Sequence, residues 1–149
     1  MTKQDVFQYT VQAKCGRGEA VRLLTDLAAQ ADLHPLIIRV QPRPPRPGAL
    51  RSYTISDRLA WGPVRFRTTY QADVLSATED EVVTVARQWP NTTLRNHARL
   101  RSDMDGVTTI DVQITLAAPA PLFAYAFRQA RTAHLALGAR LRDTLDATG

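Results

Sequence analysis

Three histidines are the side chains best suited to acid–base or metal chemistry in this chain, and they stand far apart: His34, His97 and His134. No two share the spacing of a helical metal pair, and no His-Glu-x-x-His stretch occurs. The single cysteine, Cys15, has no cysteine or histidine near it, so no metal is expected. "CGRGE" around Cys15 lacks the third glycine and the strand–helix setting of a dinucleotide loop, and no Gly-x-Ser-x-Gly nucleophile turn is present. No cofactor is expected either. One unpaired thiol suits a reducing compartment, so the expected location is cytoplasmic.

His134 is the histidine whose setting invites chemistry. In "PLFAYAFRQARTAHLALGARLRDTL", Phe123, Phe127, Ala130, His134, Leu137, Leu141 and Leu145 recur at helical spacing and share one side of a rod. An imidazole inside that stripe has two readings. It is a core histidine satisfied by a backbone or tyrosine partner, or it is offered to a bound carbonyl or hydroxyl as hydrogen-bond donor or general base. His34, just before Pro35 and between a helix and a strand, has the same pair of readings, structural or pocket mouth. His97 alternates with Arg95, Arg99 and Arg101 and is expected to be solvated.

The elements that must position these residues follow from periodicity. "DVFQYTVQA" alternates as a first strand, "KCGRG" breaks it, and "EAVRLLTDLAAQA" has helical spacing that ends before Pro35. "LIIRV" is a short second strand. "QPRPPRPGAL" follows, and residues 41–50 are expected to form a stiff loop; the role of its prolines at 42–47 is not given by the pattern. From residue 51 to 116 the period is two, in five strands separated by short turns, which predicts an antiparallel meander. "AAPAP" then leads into the terminal helix, a rod of roughly 37 Å for about 25 residues. A straight rod of moderate side chains cannot fill a curled sheet, and Ala126, Ala130, Ala133 and Gly138 are small where it crosses, so a cavity between helix and sheet is expected.

Strand parity points Phe66, Tyr70, Asn96, Ala98, Ile110 and Val112 inward, because their neighbours in the chain are charged or polar. Asn96 on an apolar face needs a partner, since an unsatisfied buried amide costs about 1–3 kcal/mol. Phe123 and Phe127 are expected as aromatic walls. No arginine is compelled to point inward by parity; Arg65 and Arg67 point outward.

Bulk properties set limits. The net charge is +5 and 17 of the 19 cations are arginine, but they are scattered and form no run of five, so no nucleic-acid partner is expected. No stretch approaches the roughly 18 apolar residues of a membrane span, and no signal peptide is read at the start. The 149 residues fit one domain. Open edge strands are compatible with a monomer or a homodimer.

The element order, with "EAVRLLTD" after strand one, "DLHPLI" before strand two, the alternating middle and "TAHLALGARLRDTL" at the end, resembles the SRPBCC superfamily. This is the START-related helix-grip group that includes polyketide cyclase/dehydrase-like proteins. The resemblance implies an α+β helix-grip fold over residues 1–149: a curved six- to seven-stranded antiparallel sheet wrapped around a long C-terminal helix, with two short helices between strands 1 and 2. It implies a binder of a small hydrophobic or amphipathic molecule, such as a lipid, polyketide or aromatic compound. The expected ligand contacts are Phe66, Tyr70, Asn96, Ala98, Ile110, Val112, Phe123, Phe127, Ala130, His134 and His34. The alternative is a polyketide aromatase/cyclase-type enzyme in which His134, with Asn96 or Tyr70, polarises a poly-keto chain.

Overall fold

The computed structural model describes residues 1–148; Gly149, the last residue of the expected domain, lies outside the described residues. The elements are β1 (Thr2–Lys14), α1 (Arg17–Thr25), α2 (Leu27–Gln30), β2 (Ile37–Arg43), β3 (Arg51–Trp61), β4 (Val64–Ala77), β5 (Glu81–Gln88), β6 (Thr92–Ser102), β7 (Val107–Pro119) and α3 (Ala120–Thr148). The strands form one seven-stranded antiparallel sheet in the order β1-β7-β6-β5-β4-β3-β2. The expected helix-grip α+β architecture is therefore observed.

Each strand from β3 to β6 pairs with the next one along the chain, as short polar turns between alternating runs require. At the β3–β4 turn Gly62 has φ +59°, a conformation that glycine adopts without strain. The first strand closes the order from the other side, with Phe7 opposite Ile114, Tyr9 opposite Val112 and Val11 opposite Ile110. Directly opposed residues share a face, so these six side chains all point into the concave side. The register shifts between Val74 and Ser76, leaving Leu75 as an extra residue on β4 that adds to the bend. The chain leaves β1 at one edge of the sheet and enters β2 at the other. Helices α1 and α2 span that gap and close one end of the curl, where the Tyr53 hydroxyl donates to the Thr25 carbonyl at 3.1 Å.

The terminal helix has 29 residues, longer than its apolar stripe predicts, and starts directly after β7. It packs along β1 and, less closely, β7. Ala133, Leu137, Leu141 and Leu145 are buried with Val11, Ile110 and Val112 in the core. Over the concave faces of β3 to β6 α3 is not closely packed, and α1 touches β4, β5 and β6 only at the closed end.

The proline-rich segment departs from the expected loop. Gln41, Pro42 and Arg43 belong to β2, opposite Thr54, Tyr53 and Ser52. β2 is an edge strand, where a residue without an N–H is tolerated. The remaining loop folds over the outer face of the sheet. There the Arg46 backbone N–H donates to Ser52 Oγ at 2.9 Å, and its guanidinium reaches Asp73 at 2.8 Å and the Tyr53 carbonyl at 3.1 Å. Asp73 is buried and also accepts from Ser52 Oγ at 2.7 Å and Arg87 at 3.1 Å.

Candidate functional site

The loosely covered concave face encloses a cavity of about 460 Å³, within the range of small-molecule sites. Its sheet wall is built from alternate residues of β3 to β7, among them Ile55, Phe66, Ala72, Val82, Ala98 and Val112. Its helix wall is Ala126, Ala130, Ala133 and Leu137, and α1 and α2 contribute Leu24, Leu27 and Gln30 at the closed end. Small residues on the helix are the reason space remains.

Exposed aromatic residues mark the mouth. Trp61 and Trp89 line the cavity yet are 50% and 88% exposed. Tyr125 on α3 stacks on Trp61 with ring centroids 4.4 Å apart, and its hydroxyl donates to the Ala60 carbonyl at 2.8 Å. One phenol thus ties the start of the helix to the β3–β4 hairpin beside the opening.

A polar belt lies deeper. Asp57 is four residues before Trp61 on β3, about 13 Å along a strand, and His134 is nine residues after Tyr125 on α3, about 13 Å along a helix. On the sheet side, Tyr70 Oη donates to Asp57 Oδ1 at 3.3 Å, and Thr68 stands directly opposite Asp57 in the β3–β4 ladder. Burial pushes the Asp57 carboxyl up to about 6, against which the Tyr70 hydrogen bond works. The Tyr70 phenol is raised well above its ordinary value by burial and by that carboxylate. Thr68 Oγ1 is buried without a partner.

On the helix side, the His34 and His134 rings meet edge to face at 5.7 Å. His34 Nδ1 accepts the Leu36 backbone N–H at 3.2 Å, so in the neutral ring the proton sits on Nε2. Burial, and then Arg140, whose guanidinium caps the Leu33 carbonyl at 2.9 Å, bring His34 down to about 4. Burial and then His34 bring His134 down to about 3, and its Nδ1 has no hydrogen-bond partner. Both imidazoles are neutral at physiological pH.

Of the residues expected to contact ligand, His34, Phe66, Tyr70, Asn96, Ala98, Val112, Ala130 and His134 line this cavity. Three do not. Ile110 is 1% exposed in the packed core opposite Val11, where α3 fills the space. Phe127 packs edge-on against Phe7 at 5.5 Å, and Phe123 stacks on Phe127 at 5.5 Å, so this pair faces β1 and away from the void. His97, expected to be solvated, is half-buried on the outer face and pairs with Glu81. The Asn96 amide faces the cavity, and among the described residues no protein group bonds it.

Asp57, Thr68, Trp61, Trp89 and Tyr125 were not expected from the sequence. Asp57 had a signal equal to that of Asn96, since it shares parity with Tyr53, Ile55 and Leu59. The two tryptophans sit in and beside turns, where periodicity carries no information on facing. Among the described residues no group of three His, Cys, Asp or Glu side chains converges as a metal site would require, and no helix is long and apolar enough to cross a membrane.

No known family model matches the sequence, and no curated protein matches it by sequence. Solved structures do match its shape. The di-domain ARO/CYC StfQ from the steffimycin biosynthetic pathway superposes with a TM-score of 0.76 at 11% identity, over 97% of this chain and 51% of that one. This chain therefore spans about half the length of that protein. A START superfamily protein from Mycobacterium smegmatis gives 0.71 at 12% identity, over 97% and 99% of the two chains. The ZhuI aromatase/cyclase from Streptomyces sp. R1128 gives 0.65 at 13% identity, over 99% of each. At such identities the likeness is one of fold. A bent seven-stranded sheet, a terminal helix along one of its edges and two short helices bridging the gap give this chain the helix-grip fold that it shares in shape with those structures.

Proposed function

We propose that residues 1–149 form one ligand-binding domain that takes an apolar or amphipathic small molecule, a lipid, polyketide or aromatic compound, into the cavity between sheet and α3. The observation that carries this is the void itself: about 460 Å³ with mostly apolar walls, opening past Trp61 and Trp89. Burying a ligand's apolar surface there gains about 25 cal/mol per Å² removed from water. The solved structures of similar shape include proteins described as aromatase/cyclases and as START superfamily members.

A thermal-shift and native-mass panel of fatty acids, fatty alcohols, sterols and aromatic polyketides tests the reading. A ligand present at a hundred times its Kd stabilises the fold by about 2.7 kcal/mol. Ala130→Trp, which places an indole in the void, should abolish the shift. A panel in which no compound raises the wild-type Tm would end the reading.

One observation favours a second reading, an aromatase/cyclase-type enzyme. Asp57, raised to about 6 beside the Tyr70 hydroxyl, is placed to take a proton from a bound keto compound near neutral pH. That reading expects Asp57→Asn or His134→Ala to remove turnover of a poly-keto substrate while binding survives. Unchanged turnover in both would remove these groups from any mechanism.

A further inference from the structure

The cavity's charge is at odds with that of the protein. The chain carries +5 and 17 arginines, yet among the described residues no arginine or lysine lines the void, and Asp57 is the one described lining residue with a carboxylate. We propose that this site, read as above as a small-molecule cavity, selects ligands that bear an uncharged hydroxyl and rejects ligands that bear a carboxylate, and that Asp57 with Thr68 sets the preference.

The hydrogen-bonding inventory argues for a hydroxyl. Among the described residues only the Tyr70 hydroxyl donates to the Asp57 carboxylate, which leaves acceptor capacity turned to the void. Directly opposite, Thr68 Oγ1 is buried with no partner and has a proton to donate. Cross-strand neighbours have Cβ atoms about 4.5–5.5 Å apart, close enough for one ligand atom to meet both. A hydroxyl oxygen can donate to Asp57 and accept from Thr68 at once. A carboxylate can only accept, an ammonium can only donate, and a carboxylate would meet a like charge in surroundings with no cation to offset it.

The other titratable groups around the void do not reverse this. His34, from the segment before β2, and His134, from α3, stay neutral down to about 4 and about 3. Tyr9 on β1 and Tyr70 on β4 are held in the phenol form by burial, and Tyr125 stands at the mouth with its phenol also raised by burial. Of these groups around the void, Asp57 is the one that changes charge between pH 5 and pH 7.5.

The test uses matched probes that differ only in the polar head: 2-naphthol against 2-naphthoate, and decanol against decanoate, titrated into the full chain by calorimetry. At pH 7.5 the hydroxyl probes should bind at least about tenfold more tightly than the carboxylates. At pH 5 the gap should narrow, because Asp57 is then largely protonated; 2-naphthoate, which is still mostly ionised there, reads this directly, whereas decanoate is by then about half protonated itself. Asp57→Asn should close the gap at pH 7.5 to within about threefold, mainly by admitting the carboxylates, with folding checked by its Tm. Thr68→Val, close in shape, should weaken the hydroxyl probes by about three- to tenfold and leave the carboxylates little changed. Equal binding of the two heads by the wild type, or a gap untouched by Asp57→Asn, overturns the proposal and leaves the cavity reading standing. Failure of all four probes to bind both the wild type and Asp57→Asn overturns the cavity reading and the preference with it.

Discussion

Gly138 of α3 lies against the Tyr9 ring of β1 so closely that a Cβ added there would stand 2.9 Å from Tyr9 Cε2. This contact sets how near the helix comes to the sheet edge, and hence how much room is left over β3 to β6. Alanine normally stabilises a helix interior over glycine by about 0.8–1 kcal/mol. Here Gly138→Ala should instead destabilise by about 1–3 kcal/mol, because ring or helix must move. In a Tyr9→Ala background the same change should become neutral or favourable. Urea denaturation of the four proteins checks it, and a stabilised Gly138→Ala in the wild-type background would contradict the contact.

The buried carboxyl of Asp57 makes a stability prediction independent of any ligand. Its value in the folded chain, about 6, lies above the ordinary 3.8. The folded state therefore holds the proton more tightly than the unfolded state, and this group's contribution falls as pH rises from about 4 to about 6. At neutral pH the buried anion costs on the order of 2–3 kcal/mol. Asp57→Asn keeps an acceptor for Tyr70 and removes the charge. It should raise stability at pH 7.5 by about 1–3 kcal/mol, with the gain gone by pH 4. An equal effect at both pH values would show that the charge is not the cause.

The histidines act in the opposite sense. His34 and His134 titrate in the folded chain at about 4 and about 3, below the ordinary 6.5. The unfolded chain takes up protons first, so their contribution is complete above pH 6.5 and is lost as pH falls toward those values. Each contributes a slope of about 1.4 kcal/mol per pH unit in that window. His134→Leu should flatten the acid side of the stability curve between pH 6 and pH 4 by about that amount. Asp57→Asn should steepen it by as much, since Asp57 offsets one histidine. Parallel curves for wild type and His134→Leu would mean that the imidazole is not held neutral.

These pairs also show what the sequence could and could not say. Period two over residues 51–116 was sufficient for the meander from β3 to β7, and the apolar stripe for the terminal helix, whereas the place of β1 beside β7 was not read from any local pattern. Which way the helix turns its stripe is another matter. Spacing places Phe123, Phe127 and His134 on one side, but packing against β1 turns the two phenylalanines to Phe7 and leaves Ala126, Ala130 and Ala133 facing the void. The offset of the helix toward one edge comes from Gly138 and Tyr9, which are 129 positions apart in sequence, and no local pattern encodes it. Asp57 was legible by parity, whereas the mouth residues Trp61 and Trp89 were not, because turns have no face.

The proline-rich segment supplies the last prediction. Its prolines hold a loop on the outer face so that Arg46 covers Asp73, which is 5% exposed and also held by Ser52 and Arg87. Removing one partner of a buried pair leaves a charge with too little compensation, while neutralising that charge does not. Arg46→Ala should therefore cost about 2–4 kcal/mol, eased below the usual penalty because Arg87 remains. Asp73→Asn should cost less, and the double variant should be no worse than Arg46→Ala alone. Thermal and urea unfolding of the three variants measures the coupling. A double variant in which the two single losses simply add would mean that Arg46 stabilises the loop by packing alone, with Asp73 sustained by Ser52 and Arg87.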